Sequence, residues 1–203
     1  GLALTGKDTI VGVIDTGIDY THPAFRNPDG TTRILSIWDQ TENEPDLLQY
    51  GRYGHIYTQN DINQALQAEN PYDIVPQRDE NGHGTFMAGI AAGSAGADGS
   101  FTGAAPQSSL IVVKLKPAKQ YLRDFFQIKD GVPAFQENDI MQGLIYLLAM
   151  AYEAKKPIVI MLCLGTNQGN HSGFSPLSSV LRWAAEMPQV AVTVSSGDEA
   201  GRQ

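Results

Sequence analysis

Five short apolar runs, rich in β-branched residues, punctuate this chain and dictate its fold class: residues 9–14, 33–38, 110–115, 158–162 and 190–194. They lack the alternation of a strand with one wet face, so they read as strands buried on both sides. Between them the apolar spacing changes. Ile140, Leu144, Leu147, Leu148 and Ala151 recur at helical intervals, which predicts a helix over 139–154. Asn138 or Asp139 is placed to cap it, and Lys155-Lys156-Pro157 to close it. A second helix is predicted over 178–186. A third begins near His83, in the Gly- and Ala-dense stretch 83–92, whose small side chains allow close packing. Residues 39–80 are rich in Asn, Asp, Gln, Tyr and Pro and read as surface loops, with one short helix near 62–69. Strands that alternate with helices define an α/β fold, a parallel sheet with helices on both faces. In such sheets ligands gather at the carboxyl ends of the strands. Asp15, the Cys163-Leu164-Gly165 segment and the Ser195-Ser196-Gly197-Asp198 segment all fall at those ends.

A chain of 203 residues, 42% of them hydrophobic, is enough for one domain with a real core, spanning 1–203. The formal net charge of −8 removes any electrostatic reason to bind nucleic acid or an anionic membrane. The most apolar stretch, 140–164, is interrupted by Gly143, Glu153, Lys155, Lys156 and Pro157, so no membrane-spanning helix is expected. Lys7 and Asp8 follow the start closely, unlike a secretion signal; the expectation is a chain that begins after a removed leader or propeptide. Cys163 is the single cysteine, so no internal disulfide can form.

Two motifs carry chemistry. Val13-Ile14-Asp15-Thr16-Gly17 ends the first strand in a sharp turn, and Asn81-Gly82-His83-Gly84-Thr85, continued by Met87-Ala88-Gly89, opens a helix. An Asp before Thr-Gly is common. A His between two glycines at a helix start is unusual, and the pair in this order is specific. A hydroxyl nucleophile needs a base within hydrogen-bond reach. Histidine suits that task because its ordinary pKa lies near neutrality. A carboxylate on the other ring nitrogen fixes the tautomer and stabilises the imidazolium. Flanking glycines let backbone and substrate approach closely.

These motifs resemble the subtilase family (peptidase S8), and the resemblance covers nearly the whole chain. Within the family the chain is most similar to the Csp-like clostridial subtilases linked to spore germination. That subgroup likeness rests on Thr32-Arg33-Ile34-Leu35-Ser36-Ile37-Trp38-Asp39-Gln40-Thr41, on Asn70-Pro71-Tyr72-Asp73-Ile74-Val75-Pro76 and on Leu110-Ile111-Val112-Val113-Lys114-Leu115-Lys116. The resemblance implies a serine endopeptidase with Asp15 and His83 as two members of its catalytic triad. It implies that Leu164 and Gly165 pair with substrate backbone, that Ser195, Ser196 and Gly197 form the opposite wall of the first specificity pocket, and that Asp198 occupies the oxyanion-hole position. It further implies a protein or peptide substrate, a propeptide, and an extracellular or spore-associated bacterial setting. The family's catalytic Ser lies in a Gly-Thr-Ser-Met-Ala segment, and no such segment occurs here. Residues 1–203 are therefore expected to be the N-terminal part of the catalytic domain, with a sheet incomplete on its C-terminal side, and inactive alone.

The chain departs from the family pattern at four positions. Phe86 stands where a second His is frequent, Met161 where Asn is usual, Cys163 where Ser precedes Leu-Gly, and Asp198 where Asn is usual. Phe86, Cys163 and Asp198 support an alternative, a Csp-like pseudoprotease that keeps the fold as a protein-binding or regulatory module, whereas the intact Asp15 and His83 support the enzyme. Cys163 reads as a small buried thiol, with a Cys nucleophile beside His83 as the other reading. Phe86, Met87 and Ile90 read as core contacts. His22, His55 and His171 read as surface loop residues without metal-site spacing. No cofactor is expected. The stretch 93–103 matches a loop that binds calcium in some subtilases, with Asp98 as its one carboxylate.

Overall fold

The computed structural model describes residues 4–42, 53–96, 101–166 and 172–196. Six strands form one sheet: β1 (Ile10–Asp15), β2 (Ile34–Asp39), β3 (His55–Thr58), β4 (Ser109–Lys114), β5 (Ile158–Leu162) and β6 (Val190–Val194). Their order is β3-β2-β4-β1-β5-β6. Every pairing is parallel except that of β2 with β3. The five predicted strands are present, each within a residue of its expected bounds. β3 was not foreseen; it is a four-residue antiparallel edge strand inside the stretch read as loops.

The helices are α1 (Gln59–Gln67), α2 (His83–Ala92), α3 (Gln120–Phe125), α4 (Glu137–Ala154) and α5 (Pro176–Ala185). The sheet separates two apolar clusters, because successive side chains of each strand point to opposite faces. Ile10 and Ile14 of β1 join Ile111, Val113, Ile160 and the α4 residues Leu144, Leu147 and Ala151 on one face. Val11 and Val13 join Leu110, Val112, Ile37 and the α2 residues Ala88 and Ala92 on the other. The central strand β1 is buried along its whole length.

Three expectations need correction. Neither Asn138 nor Asp139 caps α4; its N-cap is Gln136, which makes no side-chain capping bond. Asp139 is instead buried, where it takes a hydrogen bond from the Tyr53 hydroxyl at 2.7 Å and pairs with the Lys116 ammonium at 3.2 Å. β6 is not a buried strand. Val190 and Val192 pack with α5 and α4, while Ala191, Thr193 and Val194 on this edge strand are exposed, as is Val159 of β5. Phe86 and Ile90 are not core residues either, at 63% and 42% exposed. Gly84, Ala88 and Ala92 are the buried positions of α2, so its small side chains face the sheet and its large ones face away.

Candidate active site

Asp15 and His83 are 68 positions apart in sequence and meet in space. Asp15 is the last residue of β1 and is 0% exposed. His83 is the first residue of α2. Its Nδ1 lies 2.8 Å from Asp15 Oδ1 and 3.0 Å from Oδ2. Against an ionised carboxylate Nδ1 must carry the proton and donate, which leaves Nε2 as the free acceptor. The His83 side chain is 41% exposed, so the acceptor nitrogen has access to a reactant while the carboxylate behind it does not. Asp15 Oδ1 also accepts from the Thr16 N–H at 2.7 Å, which fixes the carboxylate's rotation.

Gly84 is required by this close approach. A Cβ on Gly84 would lie 2.2 Å from the Gly17 carbonyl oxygen and 3.1 Å from Asp15 Cβ, so only glycine lets the helix start seat on the turn after β1. Gly17 itself has φ +122°, a conformation that favours glycine.

Asp79 is a functional candidate that the sequence reading missed. Gly82, the N-cap of α2, has no side chain to satisfy the first helical N–H groups. The Asp79 carboxylate does so from three residues further back. It accepts from the Gly82 N–H (2.9 Å), the Thr85 N–H (2.8 Å), the Thr85 hydroxyl (2.6 Å) and the Thr16 hydroxyl (2.8 Å). Burial pushes its pKa up, but the hydrogen bonds from Thr85, Thr16 and Gly82 outweigh burial and hold it below the ordinary 3.8. The available signal was an acid placed shortly before a helix start that has no Ser, Thr, Asp or Asn at the cap itself.

Leu164, Gly165, Ser195 and Ser196 stand at the same carboxyl edge of the sheet. β5 and β6 pair in register through Leu162 and Val194, and the Ser195 N–H donates to the Leu162 carbonyl at 3.2 Å. Leu164 packs on the α4 side of the core, while Gly165, Ser195 and Ser196 are exposed. Gly197 and Asp198 lie outside the described residues, as do Asp98 of the 93–103 loop and His171. His55 sits in β3 rather than in a loop, and His22 accepts from the Ala24 N–H at 3.1 Å.

Register places Cys163 next to the pair, since Ile14 aligns with Leu162. Burial pushes the Cys163 thiol up, and the nearby Asp15 charge adds to this. That favours the protonated, weakly nucleophilic form, against a role for Cys163 as the nucleophile. Among the described residues, no group of three or more His, Cys, Asp or Glu side chains is placed to hold a metal, and no helix is long and apolar enough to cross a membrane. A shallow apolar groove lined by Thr9, Pro157, Val159 and Val190 lies at the opposite edge of the sheet and contains no titratable side chain.

A histidine whose Nδ1 is held by a buried carboxylate can present Nε2 as a general base to a hydroxyl nucleophile. The chain belongs to the subtilase family (peptidase S8), whose profile matches residues 6–203. It is similar to the solved CspB protease of Clostridium perfringens, with 35% identity and a TM-score of 0.80 over 98% of this chain and 38% of that one. It is 33% identical over 197 residues to the PII-type proteinase of Lacticaseibacillus paracasei, covering 95% of this chain and 9% of that protein. Serine protease AprX of Bacillus subtilis is 34% identical over 116 residues, which are 57% of this chain and 18% of AprX. The chain therefore spans only a minor part of the relatives it matches.

Proposed function

We propose that these residues supply the base half of a serine endopeptidase acting on protein or peptide substrates, with a Ser outside residues 1–203 as the nucleophile. The observation that carries this reading is the 2.8 Å contact between a fully buried Asp15 and the Nδ1 of a solvent-open His83. In this mechanism His83 Nε2 takes the proton of the serine hydroxyl as it attacks the peptide carbonyl. The resulting imidazolium gives that proton to the leaving amine, and Asp15 holds the ring and stabilises its charge throughout. By family resemblance we assign Leu164-Gly165 and Ser195-Ser196-Gly197 to the substrate path and Asp198 to the oxyanion position, and a propeptide is a natural first occupant of such a cleft. Residues 1–203 alone should be inactive, because no Gly-Thr-Ser-Met-Ala segment is present.

The test uses casein and short chromogenic peptides with the full-length protein. His83→Ala is expected to lower kcat by on the order of 10⁶-fold and Asp15→Asn by about 10⁴-fold, the sizes known for subtilisin and chymotrypsin-type triads. Undiminished turnover by His83→Ala overturns the proposal. A second reading, a protein-binding module without turnover, is favoured by the exposed Phe86 and Ile90 on the helix that carries His83. Labelling by a fluorophosphonate probe separates the two, since a competent Ser reacts and a pseudoprotease does not.

A further inference from the structure

We propose that Asp79 is a positioning residue: its carboxylate ties the turn after Asp15 to the first turn of α2 and thereby sets the distance and angle at which His83 meets Asp15. The inference rests on the proteolytic reading above only in its kinetic consequence.

The argument starts from hydrogen count. A threonine hydroxyl has one proton to give and can accept as well. The Thr16 hydroxyl accepts from the Gly84 N–H at 3.0 Å and donates to Asp79 Oδ1 at 2.8 Å. The Thr85 hydroxyl accepts from the Asp19 N–H at 2.8 Å and donates to Asp79 Oδ2 at 2.6 Å. Both hydroxyl protons are thus committed to Asp79, and both relays start at a main-chain N–H that cannot reverse. One relay begins on α2 and passes through the β1 turn. The other begins at Asp19, beyond that turn, and passes through α2. The Gly82 and Thr85 N–H groups donate to the same two oxygens, which makes four donors on one carboxylate. Only an ionised acceptor with two equivalent oxygens can close this set. An amide at position 79 would present N–H groups to one of the hydroxyls, whose proton would then lose its partner.

Geometry makes the network matter for His83. Gly84 follows His83 directly, Thr16 follows Asp15 directly, and the Gly84–Thr16 bond runs alongside the His83–Asp15 contact. Any shift of the helix start relative to the turn changes both together. Charge points the same way. The carboxylate lies at the amino end of a 10-residue helix, where a negative charge is favoured. Coupled hydrogen bonds of one sense also reinforce each other. Asp79 does not touch the reacting atoms, so its effect must appear in rate rather than in substrate affinity.

The experiment is Asp79→Asn in the full-length protein, alongside Thr16→Val and Thr16→Ser. Kinetics on a peptide substrate are combined with nitrogen-15 and proton NMR of the histidine rings and with thermal unfolding. The expected result is a roughly 100-fold lower kcat with KM unchanged in Asp79→Asn and Thr16→Val, the loss typical of an ångström-scale misplacement. The rate should be restored in Thr16→Ser, which keeps the relaying hydroxyl. The His83 Nδ1–H resonance should be lost or shifted in the first two variants and kept in the third. If Asp79→Asn fails to fold, the two Thr16 variants decide the question alone. Wild-type kcat and an unmoved Nδ1–H signal in Asp79→Asn, or identical behaviour of Thr16→Val and Thr16→Ser, overturn the proposal. If the wild-type protein shows no turnover, the proteolytic reading fails, and the NMR signals still test Asp79.

Discussion

The two sides of the candidate cleft are built differently. On one side, Asp15, Thr16, Gly17, Asp79, His83, Gly84 and Thr85 interlock through short hydrogen bonds and a backbone contact that admits no extra atom. On the other side, Gly165, Ser195 and Ser196 are exposed, a Cβ at Gly165 would meet none of the described residues, and the strand leading into the two serines has three exposed residues. The first side is preorganised by contacts among residues of this segment. The second presents main chain to solvent, as a surface must if an extended peptide is to add to it. A base has to be held within a fraction of an ångström, whereas a substrate path has to stay accessible.

Four measurements break or sharpen that contrast. The largest effect is expected from Gly84→Ala. Its new methyl would meet the Gly17 carbonyl at 2.2 Å, a backbone atom that cannot swing aside. A loss of about 3 kcal/mol in urea unfolding is expected, at the upper end for overpacking; a loss under 1 kcal/mol would show that the helix start can lift off the turn. Next is Asp198→Asn in the full-length protein. An ionised acid at an oxyanion position accepts hydrogen bonds and cannot donate them. Restoring the amide is expected to raise kcat by roughly 100-fold, the size of that donor's effect in subtilisin, and an unchanged rate would remove Asp198 from the site.

The third measurement follows the charge that crosses from one side to the other. Cys163 has its thiol pushed up from 9.0 by burial and by Asp15, so its reaction with iodoacetamide should still be accelerating above pH 9. A raised pKa means that the reactive thiolate is scarce below that pH. Asp15→Asn removes the negative charge and should move the rate profile to lower pH; an unmoved profile means the thiol does not sense Asp15. The smallest effect on stability is expected at Gly165→Ala, where none of the described residues lies within 4 Å of the added methyl. Unfolding should shift by no more than about 0.5 kcal/mol, while KM for peptides rises. A large destabilisation would mean that this side is as tightly built as the other.

Much of this was legible in the chain. The strands announce themselves because β-branched residues buried on both faces leave continuous apolar runs, and Asp15 and His83 stand in motifs that few other chemistries need. Three features resisted reading, each for a physical reason. β3 is a four-residue edge strand whose His55 and Thr58 face solvent, so it carries no apolar run. Phe86 and Ile90 were assigned to the core by residue type, but α2 turns its small side chains inward, and its apolar face cannot be found by seeking large residues. Asp79 escaped because its four donors belong to three different residues, one of them Thr16, 63 positions away. An acid shortly before an uncapped helix start points to the Gly82 and Thr85 donors, but no local pattern encodes the Thr16 donor.

Arg33 gives α2 its other anchor. It is buried, and its guanidinium donates to the carbonyls of Ala92 at 2.5 Å, Ala24 at 2.6 Å and Ser108 at 2.6 Å. Ala92 is the last residue of the helix that His83 begins. The helix is thus pinned at its amino end through Thr16 and Asp79 and at its carboxyl end through a cation that also grips two other segments. It behaves as a strut clamped at both ends, unable to slide along its own axis without breaking bonds at each. A lysine at position 33 would keep the charge but could not span three carbonyls with a planar fork. The axial setting of His83 therefore depends on a side chain at the far end of the helix from its imidazole.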